Sequence, residues 1–250
     1  MTWIDACCYG GSARDDADGS AAVARLLGEL TRIGADGALV QSRWANVISP
    51  DYANQQLFDD LAGHASLIPA PEVTPEGGEA FIDRPADMVA DLAKRGAGAA
   101  VVHPRQHGFL LSTWCAGDLL AALEARRLPL MVWINEVEPE HLIEVCEAFP
   151  ALPVIVQGVP RTGYQRTLYP LMKRYRQLRV VLAPPHSAHL GVEYLATHLD
   201  RSQLLWGTNY PAAEPGASIA GVMYAELDEA TQAAVMGGNM KQLIEEVRRD

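Results

Sequence analysis

Eight short apolar runs, each followed by an amphipathic stretch, constrain this chain more than any other feature of its sequence. The runs are Thr2–Cys8, Gly37–Ser42, Ser66–Pro69, Ala99–His103, Pro129–Ile134, Pro153–Gln157, Arg179–Ala183 and Gln203–Gly207. Helical patterns follow over Ser20–Ile33, Ala53–Gly63, Pro85–Arg95, Ala116–Arg127, Pro139–Phe149, Tyr164–Arg176 and Val192–Leu199. Strands this apolar must be covered on both faces, and a helix after each one makes the sheet parallel. Eight such units in 250 residues favour a closed (β/α)8 barrel over an open, doubly wound sheet. Boundary residues agree. Ser20 precedes the first helical period, Pro85 suits a first helical turn, and Gly34, Gly63 and Gly96 stand where helices end in a left-handed residue. After the last strand, Asp228 starts a helix that ends at Gly237-Gly238, and Asn239 is placed to cap a terminal helix to Arg248.

No Ser/Gly/Pro-rich or charge-dense stretch divides the chain, so residues 1–250 read as one domain, with Pro69–Pro85 as one long loop. A hydrophobic content of 49% supplies a large core. No apolar run reaches the roughly 18 residues a membrane span needs. The first strand begins at once, without room for a leader, which gives a cytoplasmic location as the expectation. A net charge of −11 argues against nucleic acid or an anionic membrane as partner, because both are bound by clustered cations. Four cysteines form no disulfide framework and are expected as free thiols.

The opening Trp3-Ile4-Asp5-Ala6-Cys7-Cys8-Tyr9-Gly10-Gly11 and the late Leu204-Leu205-Trp206-Gly207-Thr208-Asn209-Tyr210-Pro211 carry a family likeness. They resemble the first and last strands of the amidohydrolase superfamily, Asp-x-His-x-His and Gly-Thr-Asp-Tyr-Pro, most closely in its amidohydrolase 2 branch. His103-Pro104-Arg105 is similar to that branch's fourth strand, Leu128–Trp133 to its fifth, and Phe149–Gly158 to its sixth. The ending Gly237-Gly238-Asn239-Met240-Lys241 resembles its tail. The resemblance implies a metal-dependent barrel acting on small, often aromatic or dicarboxylic, acids. It also implies that the ligand positions have changed, since Cys7, Tyr9, Trp133, Gln157-Gly158 and Asn209 stand where histidines and the catalytic aspartate would be. We therefore expect no metal and no other cofactor.

Sites in such barrels lie at the carboxyl ends of the strands. Alternation places Asp5, Cys7 and Tyr9 on one side of the first strand, facing the axis, and turns Cys8 outward. His103, Cys7 and Asn209 are the candidate catalytic residues. Tyr9, Arg43, Arg105, Trp133, Gln157, Arg161 and His186 are the candidate ligand-binding ones. Cys7 serves as a nucleophile if a base lowers its pKa, or as a small buried hydrophobe. His103 serves as an acid or base, or is held by a backbone carbonyl. Arg43, Arg105 and Arg161 clamp a carboxylate, or pair with loop acids. Trp133 and Tyr9 fill the former metal cavity or line a pocket for a ring. His64, His107, His141 and His198 read as ordinary surface residues. Three functions follow. The first is a divergent member or pseudoenzyme binding a small anionic ligand. The second is a metal-independent hydrolase, lactonase or decarboxylase of a small carboxylic acid. The third is a hydrolase with a metal site rebuilt from Cys7, His103 and His186. The sequence leaves open whether the molecule is a monomer or a homo-oligomer.

Overall fold

The computed structural model describes residues 1–10, 19–45, 47, 49–75, 85–160, 165–184, 186 and 190–250. Its strands are β1 (Ile4–Gly10), β2 (Gly37–Ser42), β3 (Leu67–Ala70), β4 (Ala100–Val102), β5 (Leu130–Trp133), β6 (Val154–Gln157), β7 (Leu178–Leu182) and β8 (Leu204–Trp206). All neighbours pair in parallel, β1 to β3 in one sheet and β4 to β8 in another. Single bridges join the two sheets at both seams, Glu72 beside Val101 and Cys8 beside Tyr210. At the first seam the Val73 amide donates to Val101 O at 2.9 Å; at the second the Tyr9 amide donates to Tyr210 O at 2.9 Å. The strands thus form a ring, as the repeating pattern predicts.

Between them run α1 (Gly19–Ile33), α2 (Pro50–Leu61), α3 (Pro85–Lys94), α4 (Thr113–Arg126), α5 (Pro139–Ala148), α6 (Gln165–Arg174) and α7 (Gly191–His198). Alternation sorts the strand side chains. Leu39, Val101, Met131, Ile155, Val181 and Leu205 fill the barrel interior. Val102, Val132, Val156, Val180 and Trp206 pack outward, against Leu119, Leu123 and Val145 of the helices. Among the described residues no helix is long and apolar enough to cross a membrane.

Three expectations need correction. In β1 a bulge between Asp5 and Cys8 breaks the period, because Asp5 lies level with Ala38 and Cys8 with Val40. Cys7 points into the barrel as expected, and Cys8 packs outward. Asp5, however, is level with outward-facing Ala38 rather than with the interior residues. Beyond β8 a helix unforeseen in the sequence, α8 (Gly216–Met223), precedes α9 (Glu229–Ala233), which Asp228 caps through the Thr231 amide at 2.6 Å. The chain then kinks at Gly237, where a Cβ would lie 2.4 Å from Thr2 O, before α10 (Asn239–Glu245). Asn239 does not cap that helix. Its amide donates to Arg201 O and Leu204 O, docking α10 so that Met240 and Leu243 seal the barrel opposite its mouth.

At the mouth, Gly158 has φ +68°, and a Cβ there would sit 2.0 Å from Cε3 of Trp133. Glycine is needed for both reasons. Gly158→Ala is expected to cost about 2–5 kcal/mol in denaturant unfolding, from left-handed strain plus overpacking. In a Trp133→Ala background only the strain remains, about 1–2 kcal/mol. Equal costs in both backgrounds would contradict this packing.

Candidate active site

The carboxyl ends of the strands surround a cavity of about 310 Å³ lined by Tyr9, Ser42, Arg43, His103, Gln106, Trp133, Asn135, Glu136, Asn209, Pro211 and Ala212. Beside it on the barrel axis lies a cluster of neutral polar groups. Gln41 and Gln157 exchange two hydrogen bonds, each Nε2 donating to the other's Oε1 at 2.9 Å. The Cys7 thiol donates to Gln157 Oε1 at 3.1 Å. All three are buried to within 2% of full burial. Burial, and then the negative Asp5, push the Cys7 thiol far above its ordinary range, so it stays protonated and is no nucleophile at neutral pH. Burial raises the Tyr9 phenol likewise.

Asp5 holds this floor from behind. Its carboxylate accepts from the Cys7 amide (2.9 Å), the Thr208 amide (3.0 Å) and the Thr208 hydroxyl (2.5 Å). Burial pushes its carboxyl up to about 6, and these three donors offset only part of the rise. Asn209 follows in a left-handed conformation (φ +58°) that asparagine tolerates. Its Nδ2 donates to Pro184 O at 3.1 Å, while its buried Oδ1 has no partner among the described residues.

The cavity wall carries a buried acid–imidazole pair. His103 Nδ1 lies 2.8 and 3.0 Å from the two oxygens of Glu72, a side chain only 2% exposed. Asn54 of α2 fixes Glu72 by bonding its carbonyl (2.7 Å) and its amide (2.8 Å). With Nδ1 taken by Glu72, Nε2 is the nitrogen left for the cavity. Burial pulls the His103 imidazole down, but the Glu72 hydrogen bond and charge, aided by Glu136, carry it above the ordinary histidine value. Burial likewise raises Glu72, more than His103 lowers it. The pair therefore holds a proton more tightly than either group alone.

The other candidates are scattered. Arg43 is exposed at the cavity rim and has no ion-pair partner among the described residues. Trp133 stacks over Gly158 and forms one wall. Arg105 turns away from the cavity to pair with Glu138. His186 faces a different cavity, between α7 and α8, and its Nε2 meets the Tyr169 hydroxyl at 3.3 Å. Arg161 lies outside the described residues, as does His189. Among the described residues no three His, Cys, Asp or Glu side chains are grouped to hold an ion, so Cys7, His103 and His186 do not form the rebuilt site. His107 is no surface residue: its side chain is 14% exposed, with Nε2 3.6 Å from Glu72.

A family model for amidohydrolases matches residues 37–243. The chain belongs to the amidohydrolase 2 family. No curated protein matches it. Solved structures share the fold at low identity. One is 5-carboxyvanillate decarboxylase from Sphingomonas paucimobilis (TM-score 0.70, 13% identity, covering 98% of this chain and 99% of that one). Another is the same enzyme from Novosphingobium aromaticivorans, a mutant with bound manganese and a substituted benzoic acid (0.73, 11%, 98% and 97%). A third is an amidohydrolase 2 protein from Bifidobacterium longum subsp. infantis (0.65, 13%, 98% and 99%).

In this amidohydrolase 2 chain, sequence reasoning missed Glu72 and Glu136. Glu72 sits two residues past the end of β3, in Ala70-Pro71-Glu72-Val73, a lone acid in an apolar strand extension. Reading everything from Pro69 as loop hid it.

Two measurements follow. Replacing Glu72 by Gln removes the charge while His103 stays buried, so the His103 midpoint in an NMR titration falls; an unmoved midpoint would mean the pair is not coupled. For Asp5, the raised carboxyl makes the native state bind more protons than the unfolded one between about pH 4 and 6, so stability falls as pH rises through that window. The stability of the wild type minus that of Asp5→Asn should drop by roughly 2 kcal/mol from about pH 4.5 to 7, then level off. A difference independent of pH would show that Asp5 does not titrate there.

Proposed function

We propose that this barrel binds a small carboxylic acid at its mouth and acts on it by proton transfer at His103, without a divalent metal. The observation that carries the reading is the Glu72–His103 pair, set in the wall of an open cavity whose rim bears Arg43. Arginine suits bidentate capture of a carboxylate. A buried carboxylate that fixes one imidazole nitrogen and leaves the other for a ligand is the usual arrangement of an acid–base histidine.

The donor set at the axis does not fit a divalent cation. Cys7 and Tyr9 are held protonated, the Gln41 and Gln157 amides satisfy each other, and an indole offers no lone pair. Decarboxylation is the reaction best matched to what remains. The carbon–carbon bond to the carboxylate breaks, CO2 leaves, and a carbon–hydrogen bond forms with the proton from His103 Nε2. His103 is then recharged from water once product has left. Hydrolysis would need His103 neutral, as a base toward water, whereas Glu72 favours its protonated, proton-donating form. That several structural neighbours are decarboxylases agrees with the choice. A binding-only protein would use the same cavity and Arg43, but it would leave the Glu72–His103 pair without a task.

The test is CO2 release from a panel of hydroxybenzoates and small dicarboxylates with EDTA present. Release should be indifferent to the chelator and fall about 100-fold or more in His103→Gln. Activity abolished by EDTA and restored by manganese would contradict the reading.

A further inference from the structure

Glu136 ends the 3₁₀ turn Ile134–Glu136 that follows β5, and it lines the same cavity as Arg43 and His103. It is 7% exposed. Its Oε2 accepts the Arg105 amide at 2.9 Å and the Gln106 amide at 3.4 Å. No lysine or arginine pairs with it among the described residues, although the two neighbouring residues that could do so point elsewhere: Arg105 pairs with Glu138, and Arg43 stands at the rim. A buried carboxylate without a countercharge is costly. Both nearby imidazoles turn to the other buried acid, His103 Nδ1 lying 2.8 Å and His107 Nε2 3.6 Å from Glu72. His103 feels the Glu136 charge but is hydrogen-bonded to Glu72, so Glu136 keeps no ion pair of its own and is open to a cation that enters the cavity. Asn209, on the same wall, adds a buried Oδ1 that no donor satisfies among the described residues.

The lining is thus polarised, with a cationic rim at Arg43 and an acceptor-rich interior at Glu136 and Asn209. We propose that the ligand is dipolar: a small molecule bearing a carboxylate that meets Arg43 and a protonated amine that meets Glu136. The assignment rests on the carboxylate-binding reading above and narrows it, making Glu136 the residue that selects amino acids over simple acids. A plain carboxylate leaves Glu136 unbalanced, and a plain amine leaves Arg43 idle. A molecule carrying both charges satisfies each end.

Isothermal titration of the whole protein tests this with benzoate, benzylamine, and 3- and 4-(aminomethyl)benzoate as probes. The better aminomethyl isomer is expected to bind about tenfold or more tightly than either singly charged probe. Glu136→Gln keeps an acceptor for the Arg105 and Gln106 amides, so the fold should survive. It should erase the preference while leaving benzoate binding intact. Glu136→Asp, which keeps the charge, should retain part of the preference. If both isomers bind no more tightly than benzoate and Glu136→Gln changes nothing, the dipolar assignment is overturned while carboxylate binding stands. If no carboxylate binds, or Arg43→Leu has no effect on binding, the reading beneath it fails and takes this assignment with it.

Discussion

The Asp5 carboxylate is the contact on which the rest of the molecule depends. It reaches from the first strand to the second residue after the last one, accepting both the amide and the hydroxyl of Thr208 as well as the Cys7 amide. A ring of parallel strands needs one seam where chain start and chain end meet, and here that seam is only a single bridge wide. Asp5 reinforces it at the point where the mouth begins. Thr208, held by Asp5, accepts the Tyr210 amide at 3.0 Å, and the Asn209 amide donates to Cys7 O at 2.7 Å. Cys7 and Asn209 therefore owe their positions to one buried carboxyl, and the bulge in β1 is what frees Asp5 from the barrel interior to reach it.

From that seam the mouth divides into two chemistries. Across the axis, Cys7, Gln41 and Gln157 make a neutral, mutually satisfied cluster, which burial keeps neutral. Along the wall, Glu72, His103 and Glu136 concentrate ionisable groups next to open space. Neutral groups that satisfy one another rigidify a floor but exchange no protons. The proton transfer we propose belongs to the wall, in a cavity that Tyr9, Trp133 and Asn209, three of the positions where the family's pattern has ligands, also line.

Much of the fold was legible because hydrophobic period is a local signal: each of the eight strands overlaps one of the eight runs read from the sequence. Alternation also placed Cys7 and Cys8 on their proper sides. It failed at Asp5, where one extra residue in β1 reverses the parity, and no local pattern announces a bulge. The cavity lining was legible near the carboxyl ends of strands, as with Tyr9, Arg43, His103, Trp133 and Asn209. Glu72 and Glu136 escaped because each follows a strand by way of a proline or a 3₁₀ turn, so periodicity had ended before they were reached. His107 escaped for a related reason. It lies in the loop after β4, and only the fold of that loop brings it to Glu72. Arg105 shows the opposite error, since a cation beside a good histidine looked functional until the fold gave it Glu138.

The central claim is that the axis of this barrel has exchanged metal chemistry for a neutral network, leaving the wall to act. The most direct test is the metal content of untagged protein, purified without chelator, challenged with manganese or zinc, and read by plasma mass spectrometry. The account predicts far less than one equivalent before and after the challenge. About one equivalent that disappears in Cys7→Ala or Gln157→Leu would contradict it.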